Sequence, residues 1–328
     1  MSAHARATLA AILSATCLWL GLSPRVAHFI YTAVLMPRCR SDSAGFSGDE
    51  IQVATVTFKS GEIFELQGHL YTGIPGDKLI VYFGGRRSNH AKNVIRAKAL
   101  LETGASVFIF DYRGFGETHG RATLSTLLED GIAAYDVAVS LGYDGDRTIL
   151  YGESLGAAVA AYVSSKRRSA GLILQSGFSS LELQIKEMIP PLRIYPRFMF
   201  PKLRLSTSES IRQGHPPLLI LHGDKDRVVN KSHAKQLFAD GGPQTRLVLL
   251  PGAKHQGLHF RQDWFCAVND FISSLSGPSL AAVEEIRELG TANESQSKPL
   301  RKRFQGGTAQ SERLRHLRFR PLSRFSPR

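Results

Sequence analysis

The stretch RTILYGESLGAAVAAYVSS, Arg147 to Ser165, runs from a short apolar segment through a glycine-bracketed serine into an alanine-rich segment. Thr148–Tyr151 has the branched and aromatic residues that suit a strand, and Ala157–Ala161 has the residues that form helices most readily. Gly152-Glu153-Ser154-Leu155-Gly156 must turn the chain sharply between them. A G-x-S-x-G turn from strand to helix holds its serine in a strained conformation, with the hydroxyl lifted to the edge of a sheet. Its glycines let strand and helix approach closely. Ser154 is therefore a candidate nucleophile; the competing reading is a serine that caps the helix N-terminus.

Working outward, short apolar runs recur at Lys78–Phe83, Ser106–Phe110, Gly171–Gln175, Pro217–Leu221 and Arg246–Leu250. Continuous runs of this kind suit strands buried on both faces. Helix-like segments separate them at Ala91–Thr103, Thr123–Leu141, Gly156–Lys166, Ser232–Ala239 and Asp263–Leu275. Gln52–Lys59 and Phe64–Thr72, joined by Ser60-Gly61-Glu62, read as an antiparallel hairpin. The alternation predicts an α/β fold, with a mostly parallel sheet of about eight strands and helices on both faces. No internal repeat is visible.

Ligands of such sheets bind beyond the C-terminal strand ends, and polar residues stand there. After PLLIL come His222-Gly223-Asp224-Lys225-Asp226, and after RLVLL come Pro251-Gly252-Ala253-Lys254-His255-Gln256-Gly257. Serine is a feeble nucleophile until a neutral imidazole takes its proton. A carboxylate in turn fixes the tautomer of the imidazole and stabilises its cation. Serine, acid and histidine each follow a strand, in that chain order, with Asp224 or Asp226 as acid and His255 or His259 as base.

Four blocks then carry a resemblance: VYFGGRRSN, FDYRGFGETHG, LYGESLGAAVA, and LHGDKDRVV with PGAKHQG. Over Ile51–Ser276 the chain resembles the α/β-hydrolase superfamily, and most of all its N-terminally anchored serine hydrolases of lysophospholipase and protein-depalmitoylase type. The resemblance implies an α/β-hydrolase fold with a triad of Ser154, Asp226 and His255, preferring these to Asp224 and His259. It implies an oxyanion hole made by the backbone N–H groups of Leu155 and Arg86. Relatives in this branch usually carry His-Gly-Asn where this chain has Gly84-Gly85-Arg86, so a side chain that normally packs beneath the site is missing. Asp111 and Arg113 take scaffolding roles in the turn beside the site. A small lid is implied at about 177–215, with Met188, Ile189, Leu192, Ile194, Tyr195, Phe198, Met199 and Phe200 available to line an acyl pocket or to seal the lid.

The ends of the chain differ in composition. Thr8–Leu22 is 15 residues without a charge, short of the ~20 of a straight membrane span. It reads as an uncleaved signal anchor, with a cleaved secretory signal and a soluble N-terminal helix as the alternatives. Arg25, Arg38 and Arg40 follow it and favour a catalytic domain on the cytoplasmic side. The formal charge is +13, and ten of the basic residues with one acid lie in Lys298–Arg328, so the last 31 residues carry +9. This stretch has no sustained period and reads as disordered, able to contact anionic lipid. The expected organisation is an anchor and linker (1–48), a hydrolase domain (49–276) and a basic tail (277–328).

Cys17, Cys39 and Cys266 form no disulfide framework and no metal-ligand spacing, and Cys266 reads as a core residue of a helix. No G-x-x-x-x-G-K-[ST] phosphate loop occurs. The expectation is a membrane-associated serine hydrolase that cleaves an ester or thioester of a lipid or acyl substrate through an acyl-serine intermediate, with no cofactor and no metal. Alternatives are an amidase or peptidase on the same triad, and a non-catalytic scaffold binding membrane or nucleic acid.

Overall fold

A computed structural model describes residues 8, 11–16, 19, 23, 53–60, 64–73, 78–86, 88, 90–116, 118–194, 205–275 and 318–321. Its strands are β1 (Val53–Ser60), β2 (Phe64–Tyr71), β3 (Leu79–Phe83), β4 (Ser106–Phe110), β5 (Thr148–Glu153), β6 (Gly171–Gln175), β7 (Leu218–Gly223), β8 (Thr245–Leu250) and β9 (Arg318–Pro321). They form one sheet in the order β8-β7-β6-β5-β3-β4-β2-β1-β9. The segment from β8 to β4 is parallel throughout, while β2 joins β4 and β1 joins β2 antiparallel, as the hairpin reading expects.

The helices are α1 (His90–Leu101), α2 (Leu124–Ser140), α3 (Leu155–Ser164), α4 (Leu181–Met188), α5 (Thr207–Arg212), α6 (Lys231–Gly241) and α7 (Gln262–Ser274). Alternate residues of the central strands feed two cores, because successive side chains point to opposite faces. Val81, Phe83 and Leu150 pack with Leu127 and Ala134 of α2 and Val159 of α3. Ile80, Tyr82 and Tyr151 pack with Ala97 of α1 and with Trp264 and Val268 of α7. Each core exceeds what one helix could bury, so the sheet is sealed on both sides and its C-terminal edge is left for chemistry.

The turn after β4 is held from inside. Arg113 donates through Nε and Nη2 to Oδ1 of the fully buried Asp130 (2.8 and 2.6 Å), and its backbone N–H donates to Oδ2. The Asp111 carboxylate fills the space beside Gly116, where a Cβ would lie 1.8 Å from Oδ2. Neither residue lines the cleft described below.

Three expectations change or fall elsewhere. Cys266 lies on α7 but is exposed, because Trp264, Ala267, Val268 and Phe271 define the buried stripe and position 266 faces away from it. Arg318–Pro321, inside the tail read as disordered, pairs antiparallel with the edge strand β1; backbone hydrogen bonding to an open edge needs no hydrophobic period in the added strand. Among the described residues no helix is long and apolar enough to cross a membrane. Residues 11–16 of the N-terminal segment are helical and exposed. The rest of that segment apart from residues 8 and 19, Cys17, Cys39, and Tyr195, Phe198, Met199 and Phe200 of the lid region lie outside the described residues, as does the tail apart from 318–321.

Candidate active site

Ser154 sits between the end of β5 and the first residue of α3, with φ 57° and ψ −114°. A non-glycine residue in this region is strained and is held there by its surroundings. Its side chain makes no capping bond to the helix, which removes the capping reading. The elbow is as tight as the motif requires. A Cβ on Gly156 would lie 2.0 Å from the Phe83 carbonyl oxygen, so only glycine lets α3 approach β3 this closely.

Ser154 Oγ lies 3.1 Å from His255 Nε2, and His255 Nδ1 lies 2.7 Å from Asp226 Oδ2. The loops after β5, β7 and β8 bring the three together over sequence separations of 101 and 29 residues. The other carboxylate oxygen, Asp226 Oδ1, accepts from the N–H groups of Val228 (2.8 Å) and Val229 (3.0 Å). Burial pushes the Asp226 carboxyl up, but the His255 hydrogen bond and charge and the Val229 and Val228 N–H donors outweigh it and hold the group below the ordinary carboxylate range. An ionised Asp226 accepts a hydrogen bond from Nδ1–H, which leaves Nε2 of the neutral ring as acceptor for the serine hydroxyl. The rejected candidates bond to neither Ser154 nor His255: Asp224 accepts from the Gly252 N–H on the surface, and His259 lines the cleft with its ring against Phe260.

The loop after β3 abuts Ser154, since a Cβ on Gly85 would lie 3.3 Å from Ser154 Cβ. A side chain at Gly84 would collide with Ser88, at 1.9 Å from Oγ and 2.5 Å from Cβ. Ser88 accepts a 2.6 Å hydrogen bond from the buried Asn93. Ser88 and Asn93 thus occupy the volume that a side chain at position 84 would need. The loop is supported from below by different residues. Arg86 and Leu155 both line the cleft beside Ser154, and Leu155, as the first residue of α3, has an N–H without an intrahelical acceptor.

A further group was not foreseen. Glu153, next to Ser154, accepts from Arg96 Nε (2.6 Å) and Nη2 (3.0 Å) of α1 and from the Tyr82 hydroxyl of β3. Burial pushes the Glu153 carboxyl up, but Arg96 and the Tyr82 hydrogen bond, with a smaller contribution from His259, bring it below its ordinary 4.5. A carboxylate depressed by folding contributes stability that is present above about 4.5 and lost as pH falls through the lower folded value. Glu153→Gln is therefore expected to melt below the wild type at pH 7, with the gap narrowing as pH drops under about 4.5. Thermal melts by circular dichroism across pH 3–7 check this, and a constant gap would contradict it. The motif of alternating residues on β5 could have flagged Glu153 as facing α1, but nothing local names Arg96 as its partner.

The cleft around Ser154 encloses about 810 Å³ and is lined by residues from β3, α1, α4 and the loops after β5, β6, β7 and β8. Met188 of the lid region lines it, whereas Leu192 is fully buried in the core and Ile194 is exposed. Among the described residues no group of three or more His, Cys, Asp or Glu could hold a metal ion.

Comparison with known proteins agrees with this architecture. The family model of the serine aminopeptidases (S33) matches residues 76–214, a span with Ser154 and the Gly84–Arg86 loop that stops short of Asp226 and His255. An uncharacterized protein of Mycobacterium tuberculosis is 32% identical over 179 residues, covering 54% of this chain and 62% of that protein. An uncharacterized membrane protein of Saccharomyces cerevisiae is 28% identical over 176 residues, covering 52% and 61%. The chain thus spans about three fifths of the length of these relatives. The esterase Pf2001 of Pyrococcus furiosus superposes with a TM-score of 0.61 at 16% identity, over 74% of this chain and 98% of that one, a likeness of fold. The sheet order, the strained serine elbow and the crossing helices define an α/β-hydrolase fold. The chain is similar to α/β-hydrolases in sequence over residues 76–214 and in fold.

Proposed function

We propose that this protein is a serine hydrolase that cleaves the ester or thioester of an acyl or lipid substrate through an acyl-Ser154 intermediate. The observation that carries the reading is the continuous hydrogen-bonded relay from Ser154 Oγ through His255 to Asp226. As Oγ attacks the carbonyl carbon, His255 Nε2 takes its proton and the C=O electrons move onto oxygen. That oxyanion is received by the N–H groups of Leu155 and Arg86, donors of a kind worth about 2.7–4 kcal/mol each. Collapse expels the alcohol or thiol, protonated by His255, and water repeats the sequence to free the acid and Ser154.

The aminopeptidase chemistry in the name of the matching family is the second reading. A free α-ammonium group needs a carboxylate to receive it. Glu153 is the sole carboxylate among the described cleft-lining residues, and Arg96 and Tyr82 already hold it. Phe178, Met188, Val228 and Val229 supply an apolar wall suited to an acyl chain. Membrane association through the N-terminal segment, with the basic C-terminal stretch as a second contact, is part of the proposal. It is supported by the yeast relative's description as a membrane protein.

A panel of 4-nitrophenyl esters of increasing chain length, run beside aminoacyl 4-nitroanilides, tests the choice. Ester turnover with the anilides at background is expected. Hydrolysis of the anilides with the esters left intact would replace the ester reading by the aminopeptidase one.

A further inference from the structure

Strand order divides the cleft into two unlike halves. Ser154 stands at the end of β5, between β6 on one side and β3 on the other. The half beyond β6 and β7 presents Phe178, Met188, Val228 and Val229 with one amide, Gln184, whereas the half beyond β3 and α1 presents Arg86, Ser88, Asn93 and Arg96 with one apolar residue, Ile95. His259 joins the polar half, because the turn Leu258–Phe260 packs against α1.

The polar half is charged and incompletely satisfied. Arg96 is neutralised by Glu153. Arg86 is half-buried and lines the cleft, yet among the described residues it has no carboxylate, hydrogen-bond or ring partner. Among the described lining residues the cleft therefore carries one surplus positive charge beside Ser154. Asn93 is 1% exposed, its amide Nδ2 is used by Ser88, and its Oδ1 has no partner; His259 Nδ1 is likewise buried without one. Buried polar atoms left unpaired are costly, so such groups around a cleft mark where a ligand's polar atoms belong. An uncharged alkyl leaving group would leave all three unmet; Asn93 Oδ1, an acceptor, needs a donor such as a substrate hydroxyl beside the anionic oxygens. A group with anionic oxygens would answer the guanidinium, which matches carboxylate and phosphate geometry alike.

Resting on the hydrolase reading above, we infer that the β3–α1 half of the cleft is a subsite for an anionic group on the leaving half of the substrate, and that the Arg86 side chain reads its charge. Acyl chain and anionic group then lie on opposite sides of Ser154, so Arg86 sets substrate choice as well as offering its backbone N–H.

Two matched substrate pairs test this in the full-length protein. One pair is 4-nitro-3-(octanoyloxy)benzoate against uncharged 2-nitrophenyl octanoate; the other is 1-octanoylglycerol 3-phosphate against 1-octanoylglycerol, read by octanoate release. Arg86→Gln keeps the backbone N–H and removes the charge. It is expected to lower the charged-to-neutral ratio of kcat/KM at least about tenfold in one pair or both, as loss of a charge-assisted hydrogen bond does. The pair with the larger drop identifies carboxylate or phosphate. Arg86→Lys is expected to retain most of the ratio, and added salt to erode it in the wild type but not in Arg86→Gln. An Arg86→Gln protein with the wild-type ratio in both pairs would overturn this inference alone. A wild type inert towards all four esters would overturn the hydrolase reading and this inference with it.

Discussion

Ser154→Ala is expected to give a folded protein whose ester turnover is lower by about a million-fold, the loss typical when a triad nucleophile is removed. The variant keeps a β-carbon at the same strained φ of 57°, so the elbow itself is unaltered. It loses only Oγ and its 3.1 Å hydrogen bond to His255. The fold should survive because neither core depends on that oxygen: Ser154 joins β6 through its backbone, donating to the Gln175 carbonyl at 2.9 Å. Initial rates on a 4-nitrophenyl ester, with a thermal melt to confirm folding, check the result. Retained activity of more than a few per cent would place the nucleophile elsewhere.

Asp226→Asn is expected to lower turnover by about ten-thousand-fold with little loss of structure, through the wrong histidine tautomer. Asparagine Oδ1 can still accept from Val228 and Val229, so the loop after β7 keeps its shape. Its amide, however, donates where the carboxylate accepted. His255 Nδ1 must then become the acceptor, and Nε2 carries the proton towards Ser154, unable to take one. Asp224→Asn is the matched control: its carboxylate holds only the surface Gly252 N–H, and its rate should stay close to wild type. Kinetics that fall equally in both variants would remove the assignment of the acid.

What the sequence made legible follows from locality. The elbow is contiguous, so the glycine spacing, the strand before it and the alanine-rich helix after it could be read together. The five strands β3 to β7 announce themselves as uninterrupted apolar runs because each is buried on both faces. β8 fits this least, its face being only partly covered. Choosing Asp226 over Asp224 and His255 over His259 needed the resemblance, since periodicity treats neighbouring loop residues alike.

The residues that stayed hidden depend on contacts between distant elements. Glu153 finds Arg96 and Tyr82 only because the sheet order sets β3 beside β5 and lays α1 across that face. Gly84 looked like a missing support, yet Ser88 and Asn93 fill the space from within the same loop and the helix that follows. α4 and α5 have 8 and 6 residues, too short for a clear helical period, so the lid region read as an interval without elements. The β9 pairing rests on an open sheet edge, which leaves no signature in the added strand.

The most direct measurement is covalent: treat the intact protein with a fluorophosphonate, digest it and locate the adduct by mass spectrometry. A single phosphonyl group on Ser154, absent from Ser154→Ala and formed far more slowly in Asp226→Asn, is the expected result. An unmodified Ser154 in folded protein, or an adduct at another residue that persists in Ser154→Ala, would contradict it.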